Sequence, residues 1–340
     1  MIKFLYTCFL LLLICHASIQ CKHTVKANVS NQLPSSVKYE LVKNWPRLPS
    51  GLLLSQVTGI GVNSQQHILL FHRAGRQWKE PFVDSLISIN TILELERETG
   101  AVLHSWGANL FVIPHGLTVD KHDNVWVTDV ALQQIFKFNR EGKLLLKLGE
   151  YRVEGNDSLH FNRPTDVAVC HDGSFYVSDG YGNNRVVKFS AEGHFLFEWG
   201  SSGTDPGEFD LPHSIDLDKK ENVYVADREN KRVQQFDSNG HFLKEWKDPS
   251  MKKLYAVVID KTSQQLMAVD YFSVFDLFTK GSDIIGFENS GPVSLRFGRS
   301  GFYDGPISRY HDIATDIDGN IYVGDILNNT IQKFRIISNK

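Results

Sequence analysis

Between Gln56 and Phe334 the chain alternates short runs of β-branched, aromatic and aliphatic residues with tight polar turns. Dipeptides such as Asp172-Gly173, Glu192-Gly193, Asn239-Gly240 and Asp318-Gly319 mark the turns. Short apolar runs punctuated in this way read as strands joined by hairpins. The first group is Val57 to Val62, Ile68 to Arg73, Ile92 to Leu95 and Val102 to Gly107. A second group runs from Pro114 to Gly149, a third from Pro164 to Gly200 and a fourth from Pro212 to Trp246. In the fifth only Leu254 to Ile259 and Gln265 to Asp270 stand out; the sixth begins at Tyr310 and stops near Phe334 after three strands. No amphipathic helix of useful length interrupts them. Four short strands repeated about every 49 residues predict an all-β fold, a six-bladed β-propeller. The sixth group lacks a fourth strand, and Val37 to Trp45 can supply it. A ring closed by an N-terminal strand leaves no free sheet edge there. The propeller is expected over 38–336, with flexible tails at 18–37 and 337–340.

The groups share a phrase at the head of their first strand. Pro114-His115-Gly116-Leu117, Pro212-His213-Ser214-Ile215 and Tyr310-His311-Asp312-Ile313 are three copies, with the histidines 98 residues apart each time. Pro164-Thr165-Asp166-Val167 is a sister copy with threonine in place of histidine. Histidine thus sits in alternate blades, two, four and six. The first strand of a propeller blade lines the central channel, so these histidines face one another about 120° apart at one height. Three imidazoles converging on a point form an open catalytic zinc arrangement, with the fourth position left for water or substrate. Repeat drift alone would place a histidine in the third blade as well. Asp129, Asp179, Asp227 and Asp325 end the second strand of their blades and read as structural, bonding backbone within or between blades.

Composition narrows the class. Apolar residues make up 42% and charged residues 22%, as in a globular chain with ample core. A net charge of −3 and the lack of a basic cluster argue against nucleic-acid binding. Lys3, the apolar run Phe4 to Ile14 and the small residues up to Ala17 read as a secretory signal over 1–17. That run is short for a membrane span, and no later stretch is longer, so no span is expected in the mature chain. Cleavage would leave only Cys21 and Cys170, which are not expected to pair. Sequons at Asn28, Asn156 and Asn328 suit a secreted glycoprotein.

The units resemble NHL-type propeller repeats. More closely, the chain resembles the peptidyl-α-hydroxyglycine α-amidating lyases over roughly Gln56 to Phe334. The match is dense in Phe71-His72-Arg73, Pro114-His115-Gly116-Leu117, Trp126-Val127-Thr128-Asp129-Val130-Ala131-Leu132, Pro164-Thr165-Asp166-Val167, Val177-Ser178-Asp179-Gly180-Tyr181 and Val225-Ala226-Asp227-Arg228-Glu229-Asn230. The resemblance implies a lyase that splits peptidyl-α-hydroxyglycine into a peptide amide and glyoxylate. Carried over residue by residue, it implies zinc ligands at His115, His213 and His311, a catalytic Tyr181 and active-site arginines at Arg73 and Arg228. It also implies a structural calcium held by the carbonyls of Ile60 and Leu117 and by Asp312. A separate peptidylglycine hydroxylating monooxygenase in the same secretory compartment, the granule lumen or outside the cell, would supply the substrate. The lyase is expected to act as a monomer.

Three departures stand out. Asn162 and Gly182 occupy one pair of positions that are bridged by a disulfide in vertebrate members, and Tyr224 and Gln235 occupy the other. Arg309 and Tyr310 stand where the family has Met-Pro before its histidine, which sets a cation beside the expected zinc. Two other readings use the same propeller: a metal-free NHL-type scaffold for a protein or peptide, and a calcium-dependent lactonase gripping its ion with carboxylates and an amide. Three channel histidines argue against the second, and metal content separates all three.

Overall fold

A computed structural model of the chain describes residues 38–274, 278–289, 291–300 and 306–337. The expected signal segment, the tail to 37, Cys21, Asn28 and residues 338–340 lie outside the described residues. The described residues form 24 strands, numbered β1 to β24 in chain order, in six sheets of four. Each sheet is an antiparallel blade, and in five of the six the strands run outward from the axis in chain order. The inner strands are β2 (Val57–Val62), β6 (Pro114–Val119), β10 (Pro164–Val169), β14 (Pro212–Leu217), β18 (Lys253–Ile259) and β22 (Tyr310–Thr315). Each neighbours the next around the ring, and β22 neighbours β2. Six blades and an all-β fold therefore stand as read.

Closure also occurs where expected, over a shorter segment. β1 (Lys38–Leu41) pairs antiparallel with β24 (Thr330–Ile337), so the sixth sheet has the order β1-β24-β23-β22. The last strand ends at Ile337, one residue beyond the expected boundary.

Burial explains the strand composition. The second strands of blades two, three, four and six, such as Val125–Asp129 and Ile321–Asp325, are buried along their whole length and carry residues such as valine, isoleucine and aromatics. Outermost strands such as Leu144–Leu148 and Phe195–Trp199 are half exposed. Gly173 and Gly240 turn at φ of +90° and +80°, a conformation that side chains resist, which is why the hairpins there end in glycine. The fifth blade, faint in the sequence, has the longest strands: Leu266–Val274, Phe278–Phe287 and Val293–Ser300.

One irregularity positions the site. In all six blades the pairing of the first and second strands slips at the head of the inner strand. The residues at the slip are Thr58, His115, Thr165, His213, Tyr255 and His311. A β-bulge of this kind leaves a residue outside the ladder and re-aims its side chain. Here it frees backbone carbonyls near the axis at the level of the histidines.

Candidate metal centre and active site

His115, His213 and His311 meet in the channel as the repeat spacing predicts. Their rings lie 4.8, 4.6 and 4.9 Å apart by centroid, and all three are buried. They are the one group of three or more His, Cys, Asp or Glu among the described residues able to hold a metal, with candidate ligand atoms within 4.8 Å of one another.

Each imidazole is fixed by the blade after its own. His115 Nδ1 donates to the carbonyl of Thr165 at 2.7 Å, His213 Nδ1 to that of Tyr255 at 2.5 Å, and His311 Nδ1 to that of Thr58 at 2.9 Å. A carbonyl can only accept, so each Nδ1 carries the proton and each Nε2 presents a lone pair. The acceptors are the bulge residues of the three blades without histidine. Second-partner bonds of this type orient metal-bound imidazoles. Burial holds all three rings far below the ordinary histidine range, with His115 down to about 3. They therefore stay neutral, the form that binds metal.

Tyr181 sits over two of them. Its hydroxyl lies 3.0 Å from His115 Nε2 and 3.0 Å from His213 Nε2. A phenol has one proton, so it can satisfy at most one of these buried nitrogens. That unmet demand, together with three neutral imidazoles sharing one focus, fits a tetrahedral cation with one open position.

The arginines arise from the same local feature, the residue just after the second strand. Arg73 follows His72 of the strand Ile68–His72; Arg228 follows Asp227 of Val223–Asp227. Arg73 is buried and donates through Nε to the carbonyl of Pro114 at 3.1 Å and through a terminal nitrogen to Gln56 Oε1 at 2.7 Å. Burial brings it down to about 10, which leaves it charged at neutral pH. Arg228 pairs with Glu229 at 2.9 Å and lies 5.4 Å from the ring of Tyr181. Burial pushes the Tyr181 phenol above its usual value, while Arg228 chiefly, then Arg73 and Arg309, pull it down.

Arg309 does not reach into the histidine cluster. It donates to the Tyr255 hydroxyl at 2.5 Å, and its guanidinium lies over the rings of Tyr255 and Tyr271 at 5.3 and 4.6 Å.

Beneath the histidines lies a chamber of about 150 Å³ lined by Ile60, Leu117, Asp166, Asp216 and Asp312. The three residues expected to hold calcium thus share one space. Asp312 Oδ2 accepts from the Ile60 amide at 2.6 Å; burial and nearby Asp166 push its carboxyl well above the usual range. Two buried carboxyls in mutual repulsion suit a hard cation bound through oxygen.

Other readings also land in the structure. Asp129 accepts four backbone amides, from Val112, Ile113, Ala131 and Leu132, and Asp325 accepts from Arg309, Leu327 and Asn328. These aspartates are structural, as expected. Cys170 is free and buried. Tyr224 and Gln235 are direct cross-strand partners joined by a side-chain hydrogen bond of 2.7 Å, and Gly182 packs on Asn162. Asn156 is exposed. Asn328 is exposed too, but its amide nitrogen donates to Ile307 and Asp325, and a glycan there would break one of these bonds.

Trp78, Phe82 and Tyr255 escape sequence reasoning. Trp78 lies 4.8 Å from the Tyr181 ring and 5.2 Å from the Arg73 guanidinium, with Phe82 packed edge-on against it. They belong to the polar excursion after Arg73, which is fastened by Arg163–Glu80 and Arg152–Asp84 pairs. Two aromatics in that excursion were the available signal. Tyr255 holds the bulge position of the fifth blade, the slot of Thr165, and the faint repeat there hid the equivalence.

A family described as a 6-bladed beta-propeller matches residues 152–266. A peptidyl-glycine alpha-amidating monooxygenase of Mus musculus is 35% identical over 337 residues, covering 91% of this chain and 33% of that protein. A probable peptidyl-alpha-hydroxyglycine alpha-amidating lyase of Caenorhabditis elegans is 40% identical over 191 residues, covering 52% of this chain and 54% of that protein. The chain thus spans about a third of the first relative's length and about half of the second's. A virginiamycin B lyase from Staphylococcus aureus, in the crystal structure of a catalytically inactive variant, superposes with a TM-score of 0.55 at 16% identity, covering 88% of each chain, and shares the fold alone. The chain is a homologue of the peptidyl-α-hydroxyglycine α-amidating lyases, built on a six-bladed propeller.

Proposed function

We infer that this chain is a zinc-dependent carbon–nitrogen lyase that splits the N–Cα bond of peptidyl-α-hydroxyglycine, giving a C-terminally amidated peptide and glyoxylate. One observation carries the reading: three neutral, buried imidazoles converge with a phenol hydroxyl placed between two of them. His115, His213 and His311 would hold the zinc through Nε2. When bound, the ion would supply the positive charge that acidifies the substrate hydroxyl and the nearby phenol and stabilises the developing oxyanion.

The protein's own groups account for the rest. Arg73, buried and held by the neutral acceptors Pro114 and Gln56, offers its guanidinium to the substrate carboxylate. Tyr181, as phenolate, takes the hydroxyl proton. The freed electron pair forms the carbonyl of glyoxylate as the C–N bond breaks. The leaving amide nitrogen then takes a proton, which Tyr181 can return, so the step is redox-neutral. Arg228, over the Tyr181 ring, favours the phenolate. Trp78 packs on the Tyr181 ring, and Phe82 backs Trp78. A calcium ion held by Ile60, Leu117 and Asp312 would offset the buried carboxyl charge below the site.

The substrate would come from a separate hydroxylating monooxygenase, and processing would occur in the secretory granule lumen or outside the cell. Among the described residues no helix is long and apolar enough to cross a membrane. A lactonase reading needs carboxylates where the imidazoles stand. The test is direct. Purified protein incubated with a synthetic α-hydroxyglycine peptide should release glyoxylate and peptide amide in equal amounts. Chelation should abolish release, and zinc should restore it. Release unchanged in metal-free protein removes the reading.

A further inference from the structure

Around the rim above the histidines, the functional groups follow blade order. Arg73 belongs to blade one, Tyr181 to blade three, Arg228 to blade four and Tyr255 to blade five, and Arg309 leads into blade six. Tyr181 bonds His115 and His213, on the side of blades two to four. Tyr255 and Arg309 take the opposite side, with the Tyr255 ring 5.1 Å from His213 and 5.7 Å from His311. A substrate over the histidines therefore lies between Tyr181 and the Tyr255–Arg309 pair.

The three rim arginines differ in their partners. Arg228 pairs with Glu229, a carboxylate that Lys253 shares at 2.8 Å. Arg73 has none, and the lyase reading uses it for the terminal carboxylate. Arg309 has no carboxylate within ion-pair distance among the described residues; its partners there are a phenol hydroxyl and two aromatic faces, and its Nε is buried without a hydrogen-bond partner. An unpaired guanidinium resting on aromatic rings is preorganised to receive an anion. The same rim thus has one more free cation than a substrate with a single carboxylate requires.

We propose that Arg309 is a specificity residue that receives a second carboxylate, the side chain of an aspartate or glutamate immediately before the α-hydroxyglycine. The inference rests on the lyase reading and goes beyond it by naming the class of peptide preferred. Tyr255 carries the guanidinium in place, so the pair acts as one acidic-residue receptor. A charge-assisted, two-point contact sets the expected preference at about tenfold or more over a neutral isostere.

Two matched ligand pairs test this. For turnover, N-acetyl-Asp-α-hydroxyglycine and N-acetyl-Asn-α-hydroxyglycine are compared by kcat/KM for glyoxylate release. For binding without turnover, N-acetyl-Asp-Gly and N-acetyl-Asn-Gly are titrated into the zinc-loaded protein by calorimetry. The wild type should favour the aspartyl member about tenfold or more in both. Arg309→Met should bring both ratios close to one, and Arg309→Lys, which keeps the charge without the fork, should retain part of them. An aspartyl preference absent from the wild type, or surviving in Arg309→Met, overturns the proposal. Should neither hydroxyglycine compound release glyoxylate, the lyase reading fails, and the calorimetric ratio still decides whether Arg309 reads an acidic side chain.

Discussion

The phenol of Tyr181 touches two imidazole nitrogens and has a single proton to give. Its hydroxyl, rather than its ring, is thus the functional part. Tyr181→Phe keeps the packing against Trp78 and should retain the metal while turnover falls by about a hundredfold or more. Metal analysis alongside glyoxylate assay checks both halves; most of the activity remaining would show that another group takes the proton. His72, next to Arg73 in the chain, offers a separate pH test, read as stability rather than activity. Its Nδ1 accepts from the amides of Ser55 and Ala74, and burial lowers it to about 4 against an ordinary value near 6.5. The folded state therefore resists a proton that the unfolded chain accepts. The stability this neutral ring contributes is complete above about pH 6.5 and is lost progressively as pH falls toward 4. His72→Asn, which keeps an acceptor, should flatten the unfolding free energy in that window by up to about 1.4 kcal/mol per pH unit. An identical slope in the two proteins would show that His72 titrates normally.

At the scale of elements, the bulge and the turn do the placing. The strands were legible because short β-branched and aromatic runs are separated by polar turns, with glycine marking the hairpins. The histidines were legible because the repeat puts them in alternate blades. Their acceptors were not, because the carbonyls of Thr58, Thr165 and Tyr255 act through backbone that every residue shares. Trp78 was illegible in another way, and so were the aromatic partners of Arg309, a residue the sequence did single out: both depend on loop paths, and loops follow no period. The missing disulfides illustrate what replaces a covalent link. A Cβ at Gly182 would meet Asn162 Cγ at 2.0 Å, so the two positions lie within side-chain reach. The double variant Asn162→Cys, Gly182→Cys should form a bridge and raise Tm by several degrees, since closing a loop of this length contributes about 3 kcal/mol. Reducing and non-reducing melts compare directly; equal Tm values would mean that the geometry is strained or the bond absent.

At the scale of the whole molecule, the ring depends on a short strand. β1 contributes four residues, paired with β24 through Lys38, Tyr39, Glu40 and Leu41. Tyr39 also stacks on Phe297 of the fifth blade at 4.8 Å, so the clasp reaches a neighbouring sheet. Removing the chain through Leu41 should lower Tm and expose the edge of β24, giving concentration-dependent association in light scattering. A truncated protein that melts and sediments like the full chain would show that the other five blades suffice.

One of the three imidazole-to-carbonyl bonds, from His311 to Thr58, crosses the seam where the beginning and end of the propeller meet. The grip on an ion at the hub and the fastening at the rim are therefore not independent. A change at this seam that displaces the Thr58 carbonyl should weaken the hold on a cation, and by reciprocity a loaded centre should tighten the seam from within.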